Sequence, residues 1–143
     1  MKLHDLLATK GADVEVIAPG ATIADVVARL ASMRIGALVV SAGDRRVDGI
    51  ISERDVVRVL AEHGDEGLHR RVGDEMSSPV TTCAPEDEVT SLMALMTEQR
   101  IRHLPVVDAG RLVGIVSIGD VVKSRVDQLE RDRKELLEYV SAR

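Results

Sequence analysis

The chain has 143 residues, of which 45% are hydrophobic, 30% are charged and only 1% are aromatic. A formal net charge of −5 argues against general nucleic-acid binding, which requires a basic surface, and no apolar run approaches the roughly 18 residues of a membrane-spanning helix. The single cysteine, Cys83, permits no disulfide bond within the chain, and the first residues lack the apolar stretch of a signal peptide. These two features predict a cytoplasmic protein, and the length predicts one compact domain.

In chain order, the first half of the sequence predicts a strand, a helix, two strands and a second helix. Thr22 with Asp25 three residues later is typical of a helix start, and two apolar runs around a polar turn indicate a hairpin. A short lead-in segment at residues 2–7 is assigned to this half. The predicted segments are the strand 14–17, the helix 22–33, the strands 37–40 and 47–51, and the helix 53–63.

The second half repeats this order after a loop at 64–67 and a lead-in at 72–76. Its predicted segments are the strand 80–83, the helix 88–99, the strands 104–107 and 112–116, and a helix from residue 118. Individual residues recur as well, since Pro19 matches Pro85 and Ser52 matches Ser117. Two copies are too few for a solenoid, so we expect them to pack on each other as one pseudo-symmetric domain with paired clefts.

The last helix is longer than its counterpart in the first half, because residues 118–143 contain no proline. Four apolar residues in it follow spacings of three, seven and four, which resembles a short heptad seam with Arg133 at one polar position. They are Val126, Leu129, Leu136 and Val140. Two interpretations remain open: an amphipathic helix that lies back on its own domain, or a helix that packs on a partner subunit.

Each half contains a Ser-x-x-Asp motif where a buried strand turns into a helix: Ser52 with Asp55, and Ser117 with Asp120. Such a motif is typical of a capping box, in which the two side chains satisfy backbone N–H groups at the helix start. The same position suits a nucleotide, because a helix N-terminus attracts phosphate and an ionised Asp accepts hydrogen bonds from ribose hydroxyls. Its recurrence favours the functional interpretation.

Arg102 and His103 stand where the middle strand of the second half begins, at the sheet end expected to carry Ser117. A guanidinium and an imidazole there can neutralise phosphate, although a surface arginine and a half-buried histidine explain the pattern equally well. Gly36 and Ala37 occupy the matching positions of the first half. We therefore expect two unequal clefts, with mononucleotide phosphate bound better in the one that contains Arg102 and His103.

The remaining candidates carry less chemistry. Arg54 is placed to reach a phosphate in either cleft or to pair with a neighbouring carboxylate. The four histidines lack metal-ligand spacing, Cys83 has no CxxC partner, and neither GxGxxG nor GxxxxGK[ST] occurs. We therefore predict no catalytic residues and no metal site.

The segments that carry these motifs resemble the tandem CBS (cystathionine-β-synthase-type) domain pair, also called a Bateman module. They are 34–40 with 49–55 and 100–107 with 114–120, repeated in register. The resemblance implies domains at 8–63 and 71–125 and a helical extension at 126–143. It also implies an α/β (α+β) fold, in which two βαββα units pack through their sheets with pseudo-two-fold symmetry.

The resemblance further implies clefts that bind an adenine nucleotide, with AMP favoured and ADP, ATP or NAD as alternatives. In the family pattern the Asp of each motif holds ribose, and the Ser binds phosphate or ribose. Carried over, Ser52 and Asp55 serve one cleft, and Ser117 and Asp120 serve the other together with Arg102 and His103. The residues implied to contact adenine are Val14, Val16, Gly36, Ala37, Val80, Thr82 and Ile101.

One departure concerns the middle strand, where the second half has the family's Pro105 and the first half has Val39. With Gly36 and Ala37 beside it, the first site is expected to be empty or to accept a longer dinucleotide.

Three functions follow from these patterns. The first is a non-enzymatic, homodimeric sensor that signals nucleotide occupancy to an unidentified partner chain, and the second is a scaffold dimer with degenerate clefts. The third is an enzyme, since such modules occur inserted in inosine-monophosphate dehydrogenases. This last function conflicts with a chain too short for a barrel of about 250 residues and with the lack of a nucleophile beside a base.

Overall fold

The computed structural model describes residues 1–11 and 13–142, and the described residues form a mixed helix–strand fold of two similar halves. The elements of the first half are α1 (Leu3–Lys10), β1 (Val16–Ile17), α2 (Ile23–Met33), β2 (Ala37–Val40), β3 (Gly49–Ser52) and α3 (Glu53–His63). A 3₁₀ helix (Gly64–His69) leads to α4 (Val72–Glu75), α5 (Val89–Gln99), β4 (His103–Asp108), β5 (Arg111–Ser117) and α6 (Ile118–Ser141). The predicted helix end at Arg143 lies outside the described residues.

Local signals start and end the paired helices at matching positions. The Thr22 hydroxyl accepts from the Asp25 N–H at 3.2 Å, and the Asp25 carboxylate accepts from the Thr22 N–H at 3.0 Å, which confirms the predicted capping box. Helices α2 and α5 both end at an arginine in the left-handed conformation, Arg34 (φ 54°) and Arg100 (φ 55°). The sequence repeat is therefore also a repeat of backbone geometry.

The two halves differ in their sheets. In the first half β1 pairs parallel with β2, and β2 pairs antiparallel with β3. In the described part of the second half, β4 and β5 are the two strands of the sheet, so the predicted strand 80–83 is wrong as a regular strand. Of residues 80–83, Cys83 forms an isolated bridge to Val106. A physical reason is Pro105, which stands where β2 has Val39 and has no N–H to donate to a neighbouring strand.

The lead-in segments are exchanged between the halves. Helix α1 packs in the second half's core, where Leu3, Leu6 and Leu7 are buried beside Leu92 and Met96, so its assignment to the first half is wrong. Helix α4 conversely contributes Val72 to the first half's core. Each half is thus completed by a short helix that precedes the other half in the chain.

Helix α6 leaves the body of the protein after its first turns. Val121 is its only buried residue among those described, and every described residue after Gln128 is exposed. The interpretation in which this helix lies back on its own domain is therefore wrong. Within the described ranges, no helix is both long and apolar enough to cross a lipid bilayer.

Candidate functional site

A cavity of about 230 Å³ lies between the two halves, beside the start of α3. The first half contributes residues 52–55, with Gly36 and Ile50, to its walls. The second half contributes the segment 100–103, which connects α5 to β4, and the lead-in residue Ser77 completes the lining. The cavity therefore joins the first Ser-x-x-Asp motif to the predicted Arg102–His103 pair.

The first motif forms a capping box and still leaves one carboxylate oxygen for a ligand. The Asp55 Oδ2 accepts from the Ser52 N–H at 2.8 Å and from the Ser52 hydroxyl at 3.1 Å. The other oxygen, Oδ1, has only longer contacts, 3.4 Å to the Ser77 hydroxyl and 3.7 Å to the Arg58 guanidinium. The Ser52 hydroxyl is thus used inside the cap, while Asp55 Oδ1 can accept a hydrogen bond from a bound hydroxyl group.

Three arginines surround the same cavity without a partner of their own. Arg54, Arg100 and Arg102 are among the residues that line the cavity, and none of them forms an ion pair with another described residue. Arg54 therefore does not pair with a neighbouring carboxylate. Guanidinium groups are the preferred donors to phosphate oxygens, so this side of the cavity suits an anionic group.

His103 stands where the halves touch. A Cβ atom on Gly36 would lie 3.2 Å from the His103 Cε1 and 3.3 Å from its Nε2, so glycine at position 36 makes room for the ring. Burial lowers the pKa of His103, as do the Lys10 and Arg102 charges, and the carboxylates of Glu53 and Asp120 only partly offset this. The imidazole is therefore a neutral group at the cavity wall at pH 7.

The predicted grouping of the site residues needs correction. The register of β4 and β5 does pair His103 with Ser117, as expected from the sequence. Arg102 and His103 nevertheless line the cavity of Ser52 and Asp55, because the halves pack so that His103 meets Gly36 of the first half. The two residues expected to bind phosphate therefore share a cavity with Asp55 and not with Asp120.

The second motif has the same cap but a different neighbour. The Asp120 Oδ2 accepts from the Ser117 N–H at 2.9 Å, and the Ser117 Oγ accepts from the Asp120 N–H at 3.1 Å. The Lys10 ammonium also donates to this carboxylate oxygen and, at 2.7 Å, to the Ile115 carbonyl. Burial alone would raise the pKa of Asp120, but the hydrogen bonds from Lys10 and Ser117 hold it below its ordinary value.

The predicted adenine contacts divide into two groups. Gly36 and Ile101 line the cavity. Ala37 is buried in β2 and does not line the cavity. The remaining four predicted contacts do not line it either: Val14, Val16, Val80 and Thr82.

The cavity also contains residues that sequence reasoning missed, chiefly Arg100 and Ser77. The repeated arginine that ends α2 and α5 is a signal that could have identified Arg100. Among the residues that the structure describes, no group of three or more His, Cys, Asp and Glu side chains is arranged to hold a metal ion.

A family model and a curated relative each match most of the chain. The family model described as "CBS domain" matches residues 5–62 and 72–127. The CBS domain-containing protein CBSX3, mitochondrial, of Arabidopsis thaliana is 37% identical over 123 residues, which are 83% of this chain; the chain spans 60% of that protein's length.

Solved structures show the same fold. The CBS-domain protein ATU1752 of Agrobacterium tumefaciens has 42% sequence identity and a TM-score of 0.84, over 87% of this chain and 99% of that one. The structure of CBSX2 in complex with AMP has 23% identity and a TM-score of 0.75, over 88% of this chain and 96% of that one.

Proposed function

The chain belongs to the CBS-domain family, with two copies of the domain, and from this premise we propose that it is a regulatory module that binds an adenine nucleotide in the cavity between its halves. The proposed ligand is AMP, with ADP, ATP and NAD as the alternatives that share its ribose and phosphate groups. CBSX2 binds AMP with the same fold at 23% identity, so the choice of ligand for this chain rests on its own residues.

One observation carries the proposal: a single cavity joins a carboxylate oxygen with spare capacity to three arginines that form no ion pair with any residue the structure describes. A ribose needs a hydrogen-bond acceptor for its hydroxyls, which Asp55 Oδ1 supplies. The phosphate needs cationic donors nearby, which Arg54, Arg100 and Arg102 supply. Ile50 and Ile101 add apolar surface for a purine ring.

The first experiment is the ultraviolet spectrum of gently purified protein, followed by calorimetric titration with AMP, ADP, ATP, NAD and, as a control, GMP. One tyrosine and no tryptophan give weak protein absorbance near 280 nm, so a retained purine would dominate near 260 nm. Binding of an adenine nucleotide supports the proposal. The absence of any effect of the whole panel on the melting temperature would favour the scaffold function instead.

The variant Asp55→Asn tests the site itself. Removing the charged acceptor should weaken AMP binding by about 10- to 100-fold, the range expected for a hydrogen bond to a charged group. Asp25→Asn is the matched control, because Asp25 has the same capping role at the start of α2 and does not line the cavity. Equal AMP affinity of the wild type and a folded Asp55→Asn variant would show that the assignment of Asp55 is wrong.

The proposal includes signalling to another chain, in a cytoplasmic homodimer that performs no reaction of its own. Binding transmits a signal only if the ligand favours one of two arrangements of the protein. A nucleotide in this cavity would contact both halves at once, which supports a change in their packing as the transmitted event. The exposed apolar residues of α6 support self-association.

A further inference from the structure

The two Ser-x-x-Asp motifs meet different side chains from the exchanged lead-in segments. After α4, Ser77 places a neutral hydroxyl 3.4 Å from Asp55 Oδ1. At the end of α1, Lys10 places an ammonium group on Asp120 Oδ2. Each motif therefore receives one side chain from the short segment that precedes the other half in the chain. The side chain at Asp55 is the neutral hydroxyl of Ser77, whereas the side chain at Asp120 is the cation of Lys10.

Lys10 is held at this position by two acceptors. Its ammonium donates both to Asp120 and to the Ile115 carbonyl at 2.7 Å, so it links the end of β5 to the start of α6. The two side chains of the ion pair are only 33% and 26% exposed, which limits screening by water. Asp120 Oδ2 is thus shared between the cap and the ammonium.

The equivalent of Asp55 Oδ1, the Asp120 Oδ1 atom, forms no hydrogen bond among the described residues, but Lys10 already neutralises this carboxylate through its other oxygen. A ribose at Asp120 would therefore approach a carboxylate that already has a counter-ion. A ribose hydroxyl can donate a hydrogen bond to the ionised carboxylate, but unlike the Lys10 ammonium it brings no opposite charge, so ribose hydroxyls are a poor replacement for Lys10.

For a phosphate, the pseudo-symmetry gives the second motif a counterpart of only one of the three arginines, Arg34, which matches Arg100. Gly36 and Ala37 stand where the first cleft receives Arg102 and His103, and Gly119 stands where it has Arg54.

We propose that Lys10 closes the second motif to nucleotides, so that each chain binds one nucleotide, at Asp55. This inference rests on the proposed function and names the residue that sets its stoichiometry. Lys10 acts as an internal occupant of the second cleft.

Calorimetric titration with AMP tests the proposal on the full chain. The wild type should bind one AMP per chain, and Lys10→Met, which keeps the apolar stem without the charge, should bind two. Lys10→Arg is the matched control, because it retains a cation for Asp120 and should still bind one. In the double variant Lys10→Met with Asp55→Asn, the site at Asp120 should be the one that remains.

A second measurement does not depend on any ligand. The carboxyl carbon of Asp120, followed by nuclear magnetic resonance during an acid titration, should titrate at higher pH in Lys10→Met than in the wild type. An unchanged titration would show that the ion pair is absent in solution and would overturn the inference whatever binds.

The outcomes separate the two proposals. Two AMP molecules per wild-type chain, or one per Lys10→Met chain, would overturn the role of Lys10 and leave the proposed function standing. A different outcome is that the Asp120 titration shifts but neither the wild type nor any variant binds AMP or another adenine nucleotide. The proposed function is then wrong, and so is the stoichiometry assigned to Lys10.

Discussion

At the scale of single residues, His103 connects the chemistry of the two clefts. Its ring lies against Gly36 at the wall of the first cavity, and the charges that act on it include Lys10 and Asp120 of the second motif. Burial keeps its pKa below the ordinary histidine value, so the free protein carries no proton there at pH 7. An anion bound near the ring would favour the protonated form.

Binding of AMP should therefore be accompanied by proton uptake at His103. The bound phosphate raises the pKa of the imidazole, so affinity should increase as pH falls through the pKa of the complex and level off below the lower pKa of the free protein. Calorimetry in buffers of different ionisation enthalpy measures this uptake. The variant His103→Gln should show no such proton uptake. The charged groups that act on the ring remain in this variant: Glu53, Asp120, Lys10 and Arg102.

The AMP phosphate itself titrates near pH 6, so the test is the difference between the wild type and His103→Gln. Titration with adenosine, which has no phosphate, gives the baseline. Equal proton uptake by the wild type and the variant would contradict the prediction.

At the scale of elements, a buried carboxylate fastens the exchanged helix α4 to α3. Glu75 is 7% exposed and accepts hydrogen bonds from Arg70 and, at 3.3 Å, from Arg58. The hydrogen bond from Arg70 is the main reason that the pKa of Glu75 is lowered; burial opposes it, and Arg58 adds to it. Arg58 also approaches Asp55 Oδ1 at 3.7 Å, so this contact reaches the cavity.

Replacing Glu75 by Gln should lower the free energy of unfolding by about 1–3 kcal/mol at pH 7. Because the folded pKa of Glu75 lies below its unfolded value, the contribution is complete above the unfolded pKa and disappears as pH falls through the folded one. The difference between the wild type and Glu75→Gln in urea denaturation should therefore shrink below about pH 4. Glu66→Gln is the control, since Glu66 is exposed and forms no ion pair among the described residues. An equal loss in both variants would contradict the prediction.

The success of sequence reasoning depended on whether a signal was local. Helices α2, α3 and α5 were predicted to within a residue, because caps and apolar periodicity act within a few positions. The strand 80–83 failed because its pairing depends on Pro105, which lies more than twenty positions later. The exchange of α1 and α4 depends on which core each apolar face reaches, and no local pattern specifies that.

The site divides in the same way. Ser52 and Asp55 are predictable because their motif recurs at a helix start, and Arg54 because it lies within that motif; all three line the cavity. The placement of Arg102 and His103 opposite Asp55 depends on how the halves pack, so the sequence repeat assigned them to the other cleft.

At the scale of the whole molecule, helix α6 presents an apolar stripe that its own chain does not cover. Five of its residues are 44–63% exposed and, with Arg133 between them, follow the alternating four- and three-residue spacing of a heptad. They are Val122, Val126, Leu129, Leu136 and Val140. The stripe is about 27 Å long at a rise of about 1.5 Å per residue. In a parallel pair of these helices, Arg125 of one copy would face Glu130 of the second copy, so the flanking charges are complementary.

The stripe predicts a dimer that a single charge should weaken. Leu129→Lys would place an ammonium in the seam twice per dimer and remove the burial of two leucines, each worth about 1.5–3 kcal/mol, so the dimer constant should weaken by at least 10-fold. Gln128→Lys adds the same charge one residue away, beside the stripe, and should leave the dimer intact. Light scattering coupled to size-exclusion chromatography, over a dilution series, measures both masses. If the two variants show the mass of two chains over the same range of concentrations, the seam does not hold the dimer together. Self-association must then use another surface, and α6 is left free to bind a different protein.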